Sequence, residues 1–176
     1  MTAEFDGPAC RGQDQGVEMA GIIRQAALSD AEAITGVLRR SIAELCRADH
    51  KGDEELLQQW LANKTPDNVA KWLGSGSTTA WVAELDHRVV GVGMLSRPGE
   101  VLLCYVTPEV IGKGMGYQLL QCMLQAANGW GLKRVFLEST ATAQNFYLCN
   151  GFEPAGEPVM SGRMWGYPMQ REVAFG

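Results

Sequence analysis

The 176 residues carry 15 lysines and arginines against 20 aspartates and glutamates, a formal charge of −5, with apolar residues at 46% and charged residues at 20%. That length holds one ordinary domain and no second, and that composition belongs to a globular protein rather than a disordered or fibrous one. The acidic balance excludes nonspecific nucleic-acid binding, which needs clustered Lys and Arg, and no apolar run reaches the ~18 to 20 residues of a membrane-spanning helix.

Residues 1–20 hold Glu4, Asp6, Asp14 and Glu18 among glycines and glutamines, with neither a basic start nor an apolar run of signal-peptide length. They read as a flexible extension ahead of a single folded domain over 21–176, with the cytoplasm as the expected compartment. Ile22 to Arg24 suits a first strand. Ser29-Asp30-Ala31-Glu32 has capping-box spacing, and Ile34, Val37, Leu38, Ile42 and Leu45 follow the helical period after it. A second helical segment carries Leu56, Leu57, Trp60 and Leu61, and Thr65-Pro66 opens a short helix that stops at Gly74.

From Thr79 the residues become β-branched and aromatic, predicting strands over Thr79 to Leu85, Val89 to Leu95 and Val101 to Val106 with turns at Asp86-His87 and Arg97-Pro98-Gly99. Short turns make this an antiparallel meander. A helical stripe follows at Met115, Leu119, Leu120, Met123, Leu124, Ala127 and Trp130, then a strand at Arg134 to Glu138 and a helix from Ala141 to Asn150. The strand-helix-strand unit puts one parallel pair into an otherwise antiparallel order, so the fold class is α/β with a mixed, mostly antiparallel sheet flanked by helices. Glu153 to Phe175 suits two closing strands, with Pro168 favouring an edge.

Five cysteines, none in a C-x-x-C pair, signal neither a disulfide framework nor a zinc site, and reduced thiols are expected. His50 and His87, far apart in sequence, are expected at the surface, and no metal is called for.

The segment Ile111-Gly112-Lys113-Gly114-Met115-Gly116 lies between a strand and a helix. Three glycines on alternate positions let the chain curl so that its N–H groups and the helix dipole face one anion, for which phosphate is the natural ligand. A single glycine would only shape the turn. A nucleotide triphosphate loop requires Ser or Thr after Gly-Lys, where Gly114 stands. A dinucleotide fingerprint requires a third glycine where Tyr117 or Leu119 stands, although Glu138 lies near the distance of a ribose-binding acid. Dinucleotide binding stays as a minor alternative.

These residues resemble the GNAT superfamily of N-acetyltransferases, whose fingerprint is a strand, a proline and Arg/Gln-x-x-Gly-x-Gly/Ala opening a helix. The first Arg or Gln is replaced here by Ile111. A second match, Ala143-Gln144-Asn145-Phe146-Tyr147-Leu148-Cys149-Asn150-Gly151-Phe152, resembles the family's Ala-x-x-Phe-Tyr-x-x-x-Gly-Phe segment. The resemblance implies transfer of an acetyl group from acetyl-CoA to an amine by direct attack, with no cysteine nucleophile. It implies that Cys104, Tyr105 and Val106 line the pantetheine arm, and that Ile111, Gly112, Lys113, Gly114, Met115 and Gly116 hold the pyrophosphate. It further implies that Asn145 reaches the cofactor arm and that Tyr147 protonates the departing sulfur. Glu138 is the first candidate base and Glu100 the second.

Bland readings stand beside these: strand core for Cys104 and Val106, a solvated helix position for Asn145, an aromatic packing pair for Tyr147 and a solvated strand end for Glu138. The acceptor, a small-molecule or peptide amine, is expected against Leu45 to Leu73 and the C-terminal loops, with Asp53, Glu54 and Glu55 favouring a cation and Trp60 or Trp72 walling a pocket. A homodimer is compatible with this class. A noncatalytic acyl-CoA-binding module is the alternative that Ile111 favours and Tyr147 disfavours.

Overall fold

Eight strands and six helices make up a computed structural model that describes residues 21–173, so the expected extension over 1–20 and the last three residues lie outside the described residues. β1 (Ile22–Gln25), β2 (Thr78–Leu85), β3 (Arg88–Ser96) and β4 (Val101–Val106) form an antiparallel sheet in the order β1-β2-β3-β4. The β2–β3 turn places Asp86 and His87 both at positive φ, as a two-residue hairpin turn requires. β5 (Arg134–Ser139), β8 (Met164–Glu172) and β6 (Glu153–Pro154) form a second sheet in the order β5-β8-β6, and β7 (Val159–Ser161) also pairs with β8.

The two sheets meet at one parallel bridge, Glu100 to Phe136, where Phe136 N–H donates to Gly99 O at 3.0 Å. The expected parallel pair is therefore a single point of contact. A register shift between Met94 and Leu95 marks a bulge at the start of β4, and such a bulge bends a strand away from its next neighbour. Beyond the bridge β4 and β5 leave a gap between them.

α1 (Ala31–Leu45) covers one face of the first sheet, its Ile34, Val37 and Leu38 packing on Val82, Val92, Met94 and Leu103. The box expected at Ser29 is not what starts it. A 3-10 turn over Leu28–Asp30 comes first, and the Asp30 carboxylate accepts the Ala27 N–H at 2.8 Å and pairs with Arg24, whose hydrogen bonds hold that carboxyl below its ordinary range. α2 (Arg47–His50), too short to show a period, precedes α3 (Glu54–Leu61) and α4 (Pro66–Leu73) on the same side.

α5 (Met115–Gly129) covers the opposite face, with Leu119, Leu120 and Met123 fully buried. Burial of each is worth roughly 1.5 to 3 kcal/mol, far more than helix propensity, so packing fixes where the N-terminus of α5 points. Gly91 and Gly93 on β3 let the helix lie close, since a Cβ at either would stand within about 3 Å of Leu119 or Met123. α6 (Gln144–Cys149) completes that layer.

Three closing strands replace the expected two, and Pro168 is not on an edge, because β8 is paired on both sides. It stands opposite Glu138 where the outer neighbour changes from β6 to β7, and its carbonyl accepts the Ala155 N–H at 2.9 Å, so no donor is missed there. His50 is buried at 3% exposure, against expectation, whereas the His87 side chain is fully exposed. Cys46, Cys104 and Cys122 are free thiols, and Cys149 is disulfide-bonded, which corrects the expectation of reduced thiols at that position. No helix among the described residues is long and apolar enough to cross a membrane.

Candidate active site

The open edge of β4 follows from its pairing with β3. Thr107 N–H donates to Val90 O at 2.8 Å, and the register sets Gly91 opposite Val106 and Gly93 opposite Cys104. Bonded and non-bonded pairs alternate in an antiparallel ladder, so the main-chain groups of Leu103, Tyr105 and Thr107 point to β3 while those of Cys104 and Val106 point into the gap. Main-chain groups without a ladder partner call for another partner. The side chains alternate too: Leu103 and Tyr105 face α1, Cys104 and Val106 face α5.

Past the C-terminal end of β4, Gly112 and Gly114 adopt φ of +74° and +79°, and a Cβ at Gly112 would meet nothing within 4 Å. Backbone conformation rather than crowding therefore selects these glycines. Gly114 is the N-cap of α5, and the first helical bond is Gln118 N–H to Gly114 O at 3.0 Å. The amides of Met115, Gly116 and Tyr117 thus lack intrahelical acceptors and face the end of the gap. Gly116 lies against the Phe146 ring, 3.6 Å from where its Cβ would be. Ile111 is 56% exposed, Lys113 is exposed, and the Met115 side chain is buried in the core, which leaves only its amide for a ligand.

Tyr147 sits beneath β4, 6% exposed, held edge-on between Phe146 at 5.1 Å and Phe152 at 5.4 Å between ring centroids. Its hydroxyl lies beside the Cys104 thiol, whose Sγ–H donates to Gly116 O at 4.0 Å. Burial pushes the phenol well above its ordinary range and pushes the thiol up to about 12, so both keep their protons at neutral pH. Tyr105, on the other face, is likewise raised by burial and by the nearby Cys46, Cys104 and Asp49. Asn145 is exposed on α6.

Glu138 is exposed on β5, two residues beyond the bridge and so level with Leu102 of β4, on the face that carries α1. Its carboxylate lies across Gly166 of β8, where a Cβ would collide with it. Glu100 is one of the two bridging residues, at the closed end of the gap.

Two features were not visible in the sequence. Asp49 of α2 accepts the Ala141 N–H at 2.6 Å together with the Thr142 N–H and hydroxyl, fastening α2 to the loop between β5 and α6 from some ninety positions away in the chain. Asp53 caps α3 by accepting the Leu56 N–H at 3.0 Å and also pairs with Arg163 at the β7–β8 turn. The Leu56 amide first and Arg163 second hold its carboxyl below the ordinary range. Glu55 stands 3.7 Å from the same arginine and Glu54 bonds Gln58, so the three acids expected to attract a cation have partners of their own.

Residues 46–173, more than half of the chain, match the model of a family described as an acetyltransferase (GNAT) domain. The chain belongs to the GNAT acetyltransferase family. An N-acetyltransferase of Mycobacterium tuberculosis, itself uncharacterized, is 28% identical over 136 residues, 73% of this chain and 86% of that one. A GCN5-related N-acetyltransferase from Rhodopseudomonas palustris matches with a TM-score of 0.78 at 21% identity, covering 90% of this chain and 99% of that chain. The PaiA N-acetyltransferase of Thermoplasma acidophilum, solved in complex with coenzyme A, gives 0.72 at 20% identity over 88% and 99%. At those identities the two structures speak for the fold alone. As a GNAT domain the chain is an acyltransferase.

Proposed function

We propose that this GNAT enzyme transfers an acetyl group from acetyl-CoA to a primary amine by direct attack. The observation that carries the reading is the open β4 edge at Cys104 and Val106, running from the free amides at the N-terminus of α5 to the Tyr147 hydroxyl. Pantetheine has amide groups that suit such an edge, and a pyrophosphate suits a helix N-terminus preceded by two glycines at positive φ. Asn145, exposed on α6, has its side chain open to a ligand.

Acetyl-CoA, when bound, supplies the activated acetyl group. The Cys104 and Val106 amides orient it, and the amides of Gly112, Gly114, Met115 and Gly116 hydrogen-bond its phosphates, the Lys113 amide being engaged by Val110 O at 3.1 Å. Glu138, exposed on the α1 face, takes the proton that a protonated amine must lose before it can attack. Tyr147, kept protonated by burial, donates to the departing sulfur. Cys104 stays a thiol and forms no bond to the acetyl group.

The test is ligand-induced stabilisation. At ~100 times its dissociation constant, acetyl-CoA should add roughly 2.7 kcal/mol, about 5 to 10 °C in melting temperature for a domain of this size, while NADH and ATP add nothing. A shift with NADH and none with acetyl-CoA would overturn the reading. Ile111→Arg should tighten acetyl-CoA binding about 3- to 10-fold at low salt, a gain that added salt removes, because the exposed position borders the phosphate-binding amides. Unchanged affinity in calorimetry would show that residue 111 points elsewhere.

A further inference from the structure

Beside the start of β4, on the α1 face, lies a cleft of about 350 Å³ lined by Lys64, Lys71, Trp72, Thr78, Leu102 and Leu103 among others. Its charge is the reverse of the chain's. The protein carries a formal −5, yet the cleft lining holds two lysines and no carboxylate, and neither lysine has an ion pair among the described residues. The Lys64 ammonium stands over the Trp72 ring at 5.9 Å and, among the described residues, bonds only the neutral Asn63 amide oxygen. Burial lowers its proton affinity with no compensating anion in place. A desolvated cation set against an aromatic face and leucines fits a ligand with an apolar body and an anionic end.

The position of the cleft ties it to the gap. Leu102 forms part of its wall and stands two residues past the Glu100 bridge, as Glu138 stands two past Phe136, so the cleft lies on the side of the gap that Glu138 borders. We propose that this cleft holds the carboxylate of the acceptor, so that the enzyme acts on amines carrying a carboxylate at the far end of a short apolar chain. The assignment rests on the amine-acceptor reading above. It departs from the cationic acceptor that Asp53, Glu54 and Glu55 suggested in the sequence, and those acids are engaged by Arg163, Leu56 and Gln58.

Two measurements on the full chain test it. In the first, 6-acetamidohexanoate and the uncharged N-hexylacetamide are titrated into the parent and into the Lys64→Gln, Lys71→Gln double variant, with binding read by calorimetry and melting temperature confirming the fold. The acid should bind about tenfold or more tightly than the amide in the parent, and equally in the variant. In the second, 4-aminobutyrate, 6-aminohexanoate and 8-aminooctanoate are compared as acceptors with alkylamines of the same length. The acid preference should appear as a lower KM and vanish in the double variant, with alkylamine turnover and acetyl-CoA affinity unchanged. Equal binding of acid and amide by the parent, or a preference that survives in the variant, overturns the proposal. If no amine is turned over, the acetyltransfer reading fails, and the binding experiment still decides the cleft.

Discussion

Tyr147→Phe should bind acetyl-CoA about as tightly as the parent and turn over roughly 10²- to 10⁴-fold more slowly with any accepted amine. The ring stays wedged between Phe146 and Phe152, so its packing is retained. What goes is the one polar group at the buried end of the side chain, beside the Cys104 thiol under the open edge of β4. The raised pKa does not argue against the role, because the phenol must arrive protonated, and burial ensures that across the neutral range. A purely structural hydroxyl predicts another pattern. Loss of a structural hydrogen bond there would cost on the order of 1 kcal/mol and lower the melting temperature while chemistry stays intact. Melting temperature, acetyl-CoA affinity and turnover measured on one preparation separate the two, and near-parental turnover would remove Tyr147 from the chemistry.

The parts legible in the sequence are those written locally. The stripe from Met115 to Ala127 became a buried helix face because a period of 3.6 is a property of the chain itself, and Gly112 and Gly114 were readable because positive φ selects glycine. The opening between β4 and β5 was not legible. It depends on a bulge near Leu102 and on pairing that stops after Glu100 and Phe136, and neither leaves a compositional trace. Asp49 looked like any solvated acid, since its partners at Ala141 and Thr142 lie far along the chain. Pro168 was assigned to an edge by a sound rule. The rule was satisfied otherwise, by a change of neighbouring strand at the residue that has no N–H to offer.

Removal of the proposed base has an effect whose size depends on pH. Glu138→Gln keeps the shape of the side chain and its place across Gly166 but cannot accept a proton. A primary amine with a pKa near ~10.4 is mostly protonated at neutral pH, and its free-base fraction rises about tenfold with each pH unit below that value. The variant should therefore lose about 10²- to 10⁴-fold in turnover at the acidic end of the working range and regain most of it as pH approaches the amine's own pKa. Gly166→Ala supplies an independent handle. The three atoms nearest the added methyl all belong to the Glu138 side chain, from Cγ to Oε1, and an exposed side chain can rotate aside, so the fold should hold while the carboxylate is displaced. Turnover should then fall with the same pH dependence as in Glu138→Gln, and Gly166→Ala should add nothing in a Glu138→Ala background, where no carboxylate remains to be moved. If both variants keep the parental pH profile and rate, water or bulk solvent removes the proton and Glu138 is a solvated strand residue. If Gly166→Ala slows turnover equally with and without Glu138, the glycine serves the β8 backbone and not the base.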